Sequence, residues 1–98
     1  MTADAVKAAP ETYKMLLEND RVRVLEVRGK PGFKTAMHSH PAHVAVAIRD
    51  GKFRFTTADG QRVDAELKAG QALYLDRVEH TTEITGTGDA HVILVELK

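Results

Sequence analysis

The constraint that most limits this chain is its punctuation. Turn-forming pairs recur all along it: Asn19-Asp20, Asp50-Gly51, Asp59-Gly60 and Ala69-Gly70, then the run Gly86-Thr87-Gly88-Asp89. Turn signals spaced every ~8–12 residues leave no room for long helices and mark an antiparallel sandwich or barrel. The intervening segments are β-prone: Tyr13 to Glu18, Arg21 to Arg28, Thr35 to His40, His43 to Arg49, Lys52 to Thr57, Val63 to Lys68, Ala72 to Leu75, His80 to Thr85 and Ala90 to Leu97. Most alternate apolar and polar residues, as a strand with one buried face does. Asp50-Gly51 and Asp59-Gly60 each predict a tight hairpin, and Asp76 to Glu79 another turn. Val44, Val46 and Ile48 share one face of their strand, and Phe53 and Phe55 share one face of the next. The reading is an all-β single domain over residues 11–98, preceded by an Ala-rich segment, residues 1–10, that forms either a short helical turn or a tail.

Composition removes several function classes. With Lys+Arg at 14 and Asp+Glu at 14 in 98 residues, the formal charge is zero. No basic face is available for nucleic acid or an anionic membrane surface. There is no cysteine, which excludes disulfides, thiolate metal sites and a thiol nucleophile. No apolar run is long enough to span a bilayer, and the N-terminus lacks the pattern of a secretory signal, so the cytoplasm is the expected location. Leu25 with Val27 and Ile93 with Val95 make two strands partly apolar on both faces, which implies a covered outer face and a homodimer.

The chemistry is concentrated in histidines. His38-Ser39-His40 closes the third β-prone segment. Side chains at i and i+2 of a strand share a face, their Cα atoms ~6.5–7 Å apart, so two imidazoles there can converge on one ion. His80 opens a remote strand just after a turn and is a third imidazole that a barrel can bring to the same point. Imidazole suits Zn, Cu, Ni and Fe(II). Counted strictly from His40, alternation puts His43 on the opposite face. A bulge at Pro41-Ala42 would reverse that and make His43 a candidate fourth ligand. His91 has no partner in this pattern and reads as a sheet-surface or interface residue. Glu79 neighbours His80 and Asp76 lies in the same loop; either is a weak candidate for a general base near the ion.

The spacing Gly32, five residues, His38, one residue, His40, then Gly51, followed by Gly70 and His80, resembles the cupin superfamily in its small single-domain members. The resemblance spans residues 20 to 97. It implies a jelly-roll β-barrel with one divalent ion (Fe, Zn, Ni, Mn or Cu) in its mouth, held by His38, His40 and His80, and a dimer. Three departures stand out. The Glu of the first motif falls on Val44, with Ala45 in the alternative slot. The Pro and Gly of the second fall on Asp76 and Val78, and its Asn on Ile84. Without that Glu, an ion held by neutral imidazoles keeps its full charge and favours anionic ligands. The implied function is a metal-dependent enzyme acting on a small organic molecule, dioxygenase- or isomerase-like. The alternatives are a non-catalytic module that senses or carries a metal or ligand, and a dimer with a vestigial site. Ser39, Val44, Ile48, Phe53 and Leu73 are expected to shape the cavity.

Overall fold

The computed structural model describes residues 4–98. A four-residue helix, α1 (Ala5–Ala8), precedes nine strands: β1 (Tyr13–Glu18), β2 (Val22–Gly29), β3 (His38–His40), β4 (His43–Ala47), β5 (Gly51–Thr57), β6 (Arg62–Leu67), β7 (Ala72–Leu75), β8 (Val78–Ile84) and β9 (Ala90–Leu97). The helical-turn alternative thus holds for the N-terminal segment over Ala5–Ala8. The Asp4 carboxylate caps that turn by accepting from Val6 N and Lys7 N, and Ala5 and Ala9 are fully buried. Residues 1–3 of that segment lie outside the described residues.

The strands form two antiparallel sheets, β1-β2-β9-β4-β7 and β3-β8-β5-β6. From β2 onward the chain passes repeatedly from one sheet to the other, which is the jelly-roll path. The core lies between the sheets. Leu25, Val27, Ala45, Ala47, Val92 and Leu94 face it from the first sheet, and Phe53, Leu67 and Ile84 from the second. Gly29 packs against Ile84: a Cβ there would lie 2.2 Å from Ile84 Cδ1, so that buried side chain would have to shift.

Two turn expectations hold. Asn19 closes β1 on β2, its side-chain oxygen accepting from Arg21 N and Val22 N, and Asp59-Gly60 closes β5 on β6 with Gly60 at φ 90°. Asp50-Gly51 does not make a hairpin. β4 pairs with β7 and β9, whereas β5 pairs with β6 and β8, so this turn carries the chain between sheets. Asp50 instead accepts from Ala69 N at 2.8 Å, which ties two inter-strand turns together.

The facing of β4 is also reversed from expectation. His43, Ala45 and Ala47 are buried, while Val44 and Val46 are half-buried and Ile48 is exposed. Cross-strand register explains where the valines go. Leu17, Val24, Val95, Val44 and Tyr74 stand side by side across all five strands of the first sheet, and Ile93, Val46 and Ala72 form part of a neighbouring row. These rows are on its outer face, where Leu17 and Tyr74 remain exposed. No helix among the described residues is long and apolar enough to cross a membrane.

Candidate metal centre

His38 and His80 are direct cross-strand partners in the pairing of β3 with β8, so their side chains leave the same face of the second sheet. His40, two residues on, leaves it as well. All three imidazoles are buried, and one ligand-capable nitrogen from each lies within 4.8 Å of the other two. The rings pack edge to face, with centroids 4.8 Å apart for His38–His40, 5.0 Å for His38–His80 and 5.3 Å for His40–His80. The structure therefore brings together the three histidines that the spacing singled out.

The surrounding hydrogen bonds decide which nitrogens face inward. His38 Nδ1 donates to the Ala36 carbonyl at 2.8 Å. His40 Nδ1 donates to Glu96 Oε2 at 2.7 Å. Both partners only accept, so Nδ1 carries the proton and Nε2 keeps its lone pair. Phe55 stacks on His80 with centroids 4.9 Å apart and fixes the plane of that ring. Nε2 of His38 and of His80 are buried without any hydrogen-bond partner. Buried polar atoms are normally paired, and leaving one unpaired costs about 1–3 kcal/mol. Two such unpartnered nitrogens within a cluster of three buried imidazoles are an arrangement that fits a divalent cation. Burial pushes His38 down to about pKa 4, and burial together with the neighbouring imidazoles pushes His80 down to about 3. Both rings are neutral at pH 7, the protonation state a metal ligand needs.

Glu96 escaped the sequence reading. It is buried at 2 % exposure on β9, whose inward residues are otherwise Ala90, Val92 and Leu94. In the sheet it is flanked by Arg23 on β2 and His43 on β4, both register partners. Arg23 grips Glu96 Oε1 through Nε at 2.9 Å and Nη2 at 2.7 Å. Burial raises the Glu96 pKa, but the hydrogen bonds from His40 and Arg23 outweigh it and hold the carboxyl below its ordinary value. Both of its oxygens are thus occupied, and Glu96 orients His40. The available signal was parity: a carboxylate on the strand face that otherwise carries Val92 and Leu94.

His43 points inward. Alternation cannot be counted through Pro41 and Ala42, because the chain changes sheets there and resets which face is interior. Its ring lies 5.1 Å from that of His40, and its Nδ1 donates to the Pro41 carbonyl at 2.7 Å. Burial lowers its pKa. It stands outside the group of three nitrogens described above. The two slots for the family Glu are also distinguished: Val44 faces the outer surface, and the inward position is Ala45. His91 lies on the outer face and meets Glu26 at 2.9 Å. Glu79 alternates with His80 and is opposite Ser39 on the other side of β8.

A cavity of about 350 Å³ opens beside the cluster. His40, His43 and His80 form part of its wall. Val27, Ala45, Phe53, Phe55, Leu73 and Leu94 supply much of the rest, and Asp76 and Arg77 are exposed members of the lining. Phe53 and Leu73 therefore line it as expected, but Ser39, Val44 and Ile48 do not. Tyr13, another wall residue, packs its ring 4.8 Å from His38 and joins its hydroxyl to Thr82 Oγ1 at 3.1 Å.

Residues 25–96, well over half of the chain, match the family described as Cupin domain. Among solved structures, a cupin domain from Bordetella pertussis Tohama I is similar at 28% identity and a TM-score of 0.77, over 88% of this chain and 91% of that one. A conserved protein with a double-stranded β-helix domain from Klebsiella pneumoniae superposes at a TM-score of 0.68 and 22% identity, over 87% of this chain and 74% of that one. A cupin-like protein from Thermotoga maritima does so at 0.64 and 23%, over 87% and 66%. The last two likenesses speak to fold alone. No curated protein matches the sequence.

Proposed function

This chain belongs to the cupin family, and from that premise we propose that it is a metal-dependent enzyme that acts on a small organic molecule, with one divalent ion held by His38, His40 and His80. The observation that carries this reading is the pair of buried, unpartnered Nε2 atoms on His38 and His80, in a cluster whose ligand-capable nitrogens, one each from these two rings and His40, lie within 4.8 Å of one another. When bound, such an ion supplies Lewis acidity, with coordination positions left over for water or substrate. The chain's own residues do the remaining work. Glu96 and Ala36 hold the His40 and His38 rings in the tautomer that presents Nε2. Phe55 keeps His80 in plane, and the wall beside the cluster is mostly apolar. His43, whose Nδ1 is committed to Pro41, presents its other nitrogen as a hydrogen-bonding group at the cavity wall.

A second reading is a non-catalytic carrier or sensor on the same site. It is favoured by the scarcity of acid–base groups in the wall: Asp76 is its one carboxylate, and it is exposed. Metal analysis of protein purified without chelator tests the proposal. Stoichiometric iron supports oxygen chemistry, and zinc or nickel supports isomerisation of a carbonyl compound. No uptake under any loading condition rules out the metal-dependent enzyme and leaves a carrier or sensor of a small ligand, or a dimer with a vestigial site. We also propose that a second copy covers the outer apolar rows around Val44, Val95 and Tyr74. A two-fold contact needs only one self-complementary patch, and such rows provide it. Sedimentation of the wild type and of Tyr74→Glu checks this: the first should run as a dimer and the second should not.

A further inference from the structure

We infer that the molecule this site accepts has an apolar body and a single anionic oxygen head, in the class of short- to medium-chain carboxylates and not of sugars or polyols. This rests on the metal-site reading above and states what lies in front of the ion. The body of the cavity wall is built from Val27, Phe53, Phe55, Leu73, Val92 and Leu94; Asp76 and Arg77 are exposed members of the lining, and beside the cluster only the second nitrogen of His43, among the described residues, offers a hydrogen bond while several other polar groups are taken. The Tyr13 hydroxyl is joined to Thr82, His40 Nδ1 to Glu96, and His43 Nδ1 to Pro41. A polyhydroxylated ligand would give up its hydrogen bonds to water here and find few replacements, whereas an apolar body gains from every methylene it buries.

The head is assigned by charge. Among the described residues the carboxylate that touches the imidazole cluster is Glu96, and its charge is already shared with Arg23. The inward slot where a carboxylate ligand would have to stand is Ala45, which lines the cavity. A divalent ion on three neutral imidazoles therefore retains its positive charge and draws an anion into its open positions. A volume of about 350 Å³ sits near the lower end of small-molecule sites, which run roughly 300–1,000 Å³, so the body is short.

The test uses the full chain loaded with zinc, whose uptake is measured first. Calorimetric titrations then compare acetate, butyrate, hexanoate and octanoate with 6-hydroxyhexanoate, which has the same head and carbon count as hexanoate but a polar far end. Affinity should rise about threefold to fourfold per added methylene, as expected for burying a CH₂, until the cavity is full. 6-Hydroxyhexanoate should bind about tenfold more weakly than hexanoate, the cost of burying an unpaired hydroxyl. Removing zinc should weaken hexanoate at least about tenfold. Leu75→Trp, at an exposed position in the wall, should reduce the dependence on chain length while zinc and acetate still bind. A flat series, 6-hydroxyhexanoate matching hexanoate, or equal binding without zinc would each overturn the inference while leaving the metal site intact. Failure to take up zinc would overturn both.

Discussion

Two histidine–glutamate pairs involve the five-stranded sheet, one on each of its faces, and the histidine of the inner pair reaches across from the facing sheet. Inside, His40 meets Glu96 at 2.7 Å, with side chains 1% and 2% exposed. Outside, His91 meets Glu26 at 2.9 Å, with side chains 18% and 20% exposed. The pairs share chemistry and nearly share geometry, yet the first is locked into a network with Arg23 and the histidine cluster, while the second ends in Arg28 and solvent. The difference comes from the two-residue period of a strand. On β9, His91 and Glu96 are five residues apart and therefore fall on opposite faces. Desolvation then turns one into a site and leaves the other a surface ion pair.

The widest separation between the two faces should come from the imidazoles. His38→Ala or His80→Ala is expected to reduce metal occupancy to near zero while the protein still folds, with a lower melting temperature. His91→Ala should keep full occupancy. Elemental analysis of the three variants decides it, and equal metal content in all would break the comparison.

Next come the carboxylates. Glu96→Ala leaves Arg23 and His40 facing each other without their shared anion and should cost about 3–5 kcal/mol in denaturant unfolding. The gentler Glu96→Gln should weaken metal binding about 10- to 100-fold, the usual penalty for losing a carboxylate behind a ligating histidine. Glu26→Gln should change stability by no more than about 1 kcal/mol, as a surface pair does, and leave metal affinity unaltered. Should Glu26→Gln match Glu96→Gln, burial is not what separates the faces.

Acid sharpens the same contrast. The folded protein holds His38 near pKa 4 and His80 near 3, both below the ordinary 6.5. Below pH 6.5 the unfolded chain takes up protons there that the folded chain refuses. Stability of the metal-free protein should therefore be fully present above about pH 6.5 and fall as pH drops from there toward 4, by up to about 1.4 kcal/mol per pH unit for each histidine. Urea unfolding at pH 7.5 and 5 measures it, and equal midpoints would contradict it. The smallest effect belongs to His43→Ala, which should lower metal affinity less than any change in the cluster of three, as read by competition with a chelator.

Much of the fold was legible because punctuation and period-two patterning are local signals: the ranges of β1, β7 and β9 were readable directly from the chain. So was the His38/His40/His80 constellation, since i and i+2 on a strand must share a face. What was not legible depends on which sheet a strand joins. Asp50-Gly51 has the residues of a hairpin in a place where the chain changes sheets. His43 and Val44 exchanged their expected faces for the same reason at Pro41-Ala42. Two segments changed extent. Thr35–Met37 leaves the ladder, with Thr35 held by its bonds to Thr82, and the expected turn at Asp76 to Glu79 is shorter because Val78 and Glu79 pair with β3. Glu96 was hidden in a strand whose aliphatic residues dominate its reading, although parity with Val92 and Leu94 marks it as buried.

The most direct test is a cobalt(II) titration of chelator-treated protein followed by visible absorption. The account predicts a spectrum that saturates at one equivalent per chain in the wild type and in His91→Ala, and that fails to develop in His38→Ala. Saturation in His38→Ala like that of the wild type, or no cobalt spectrum in the wild type at all, would contradict it.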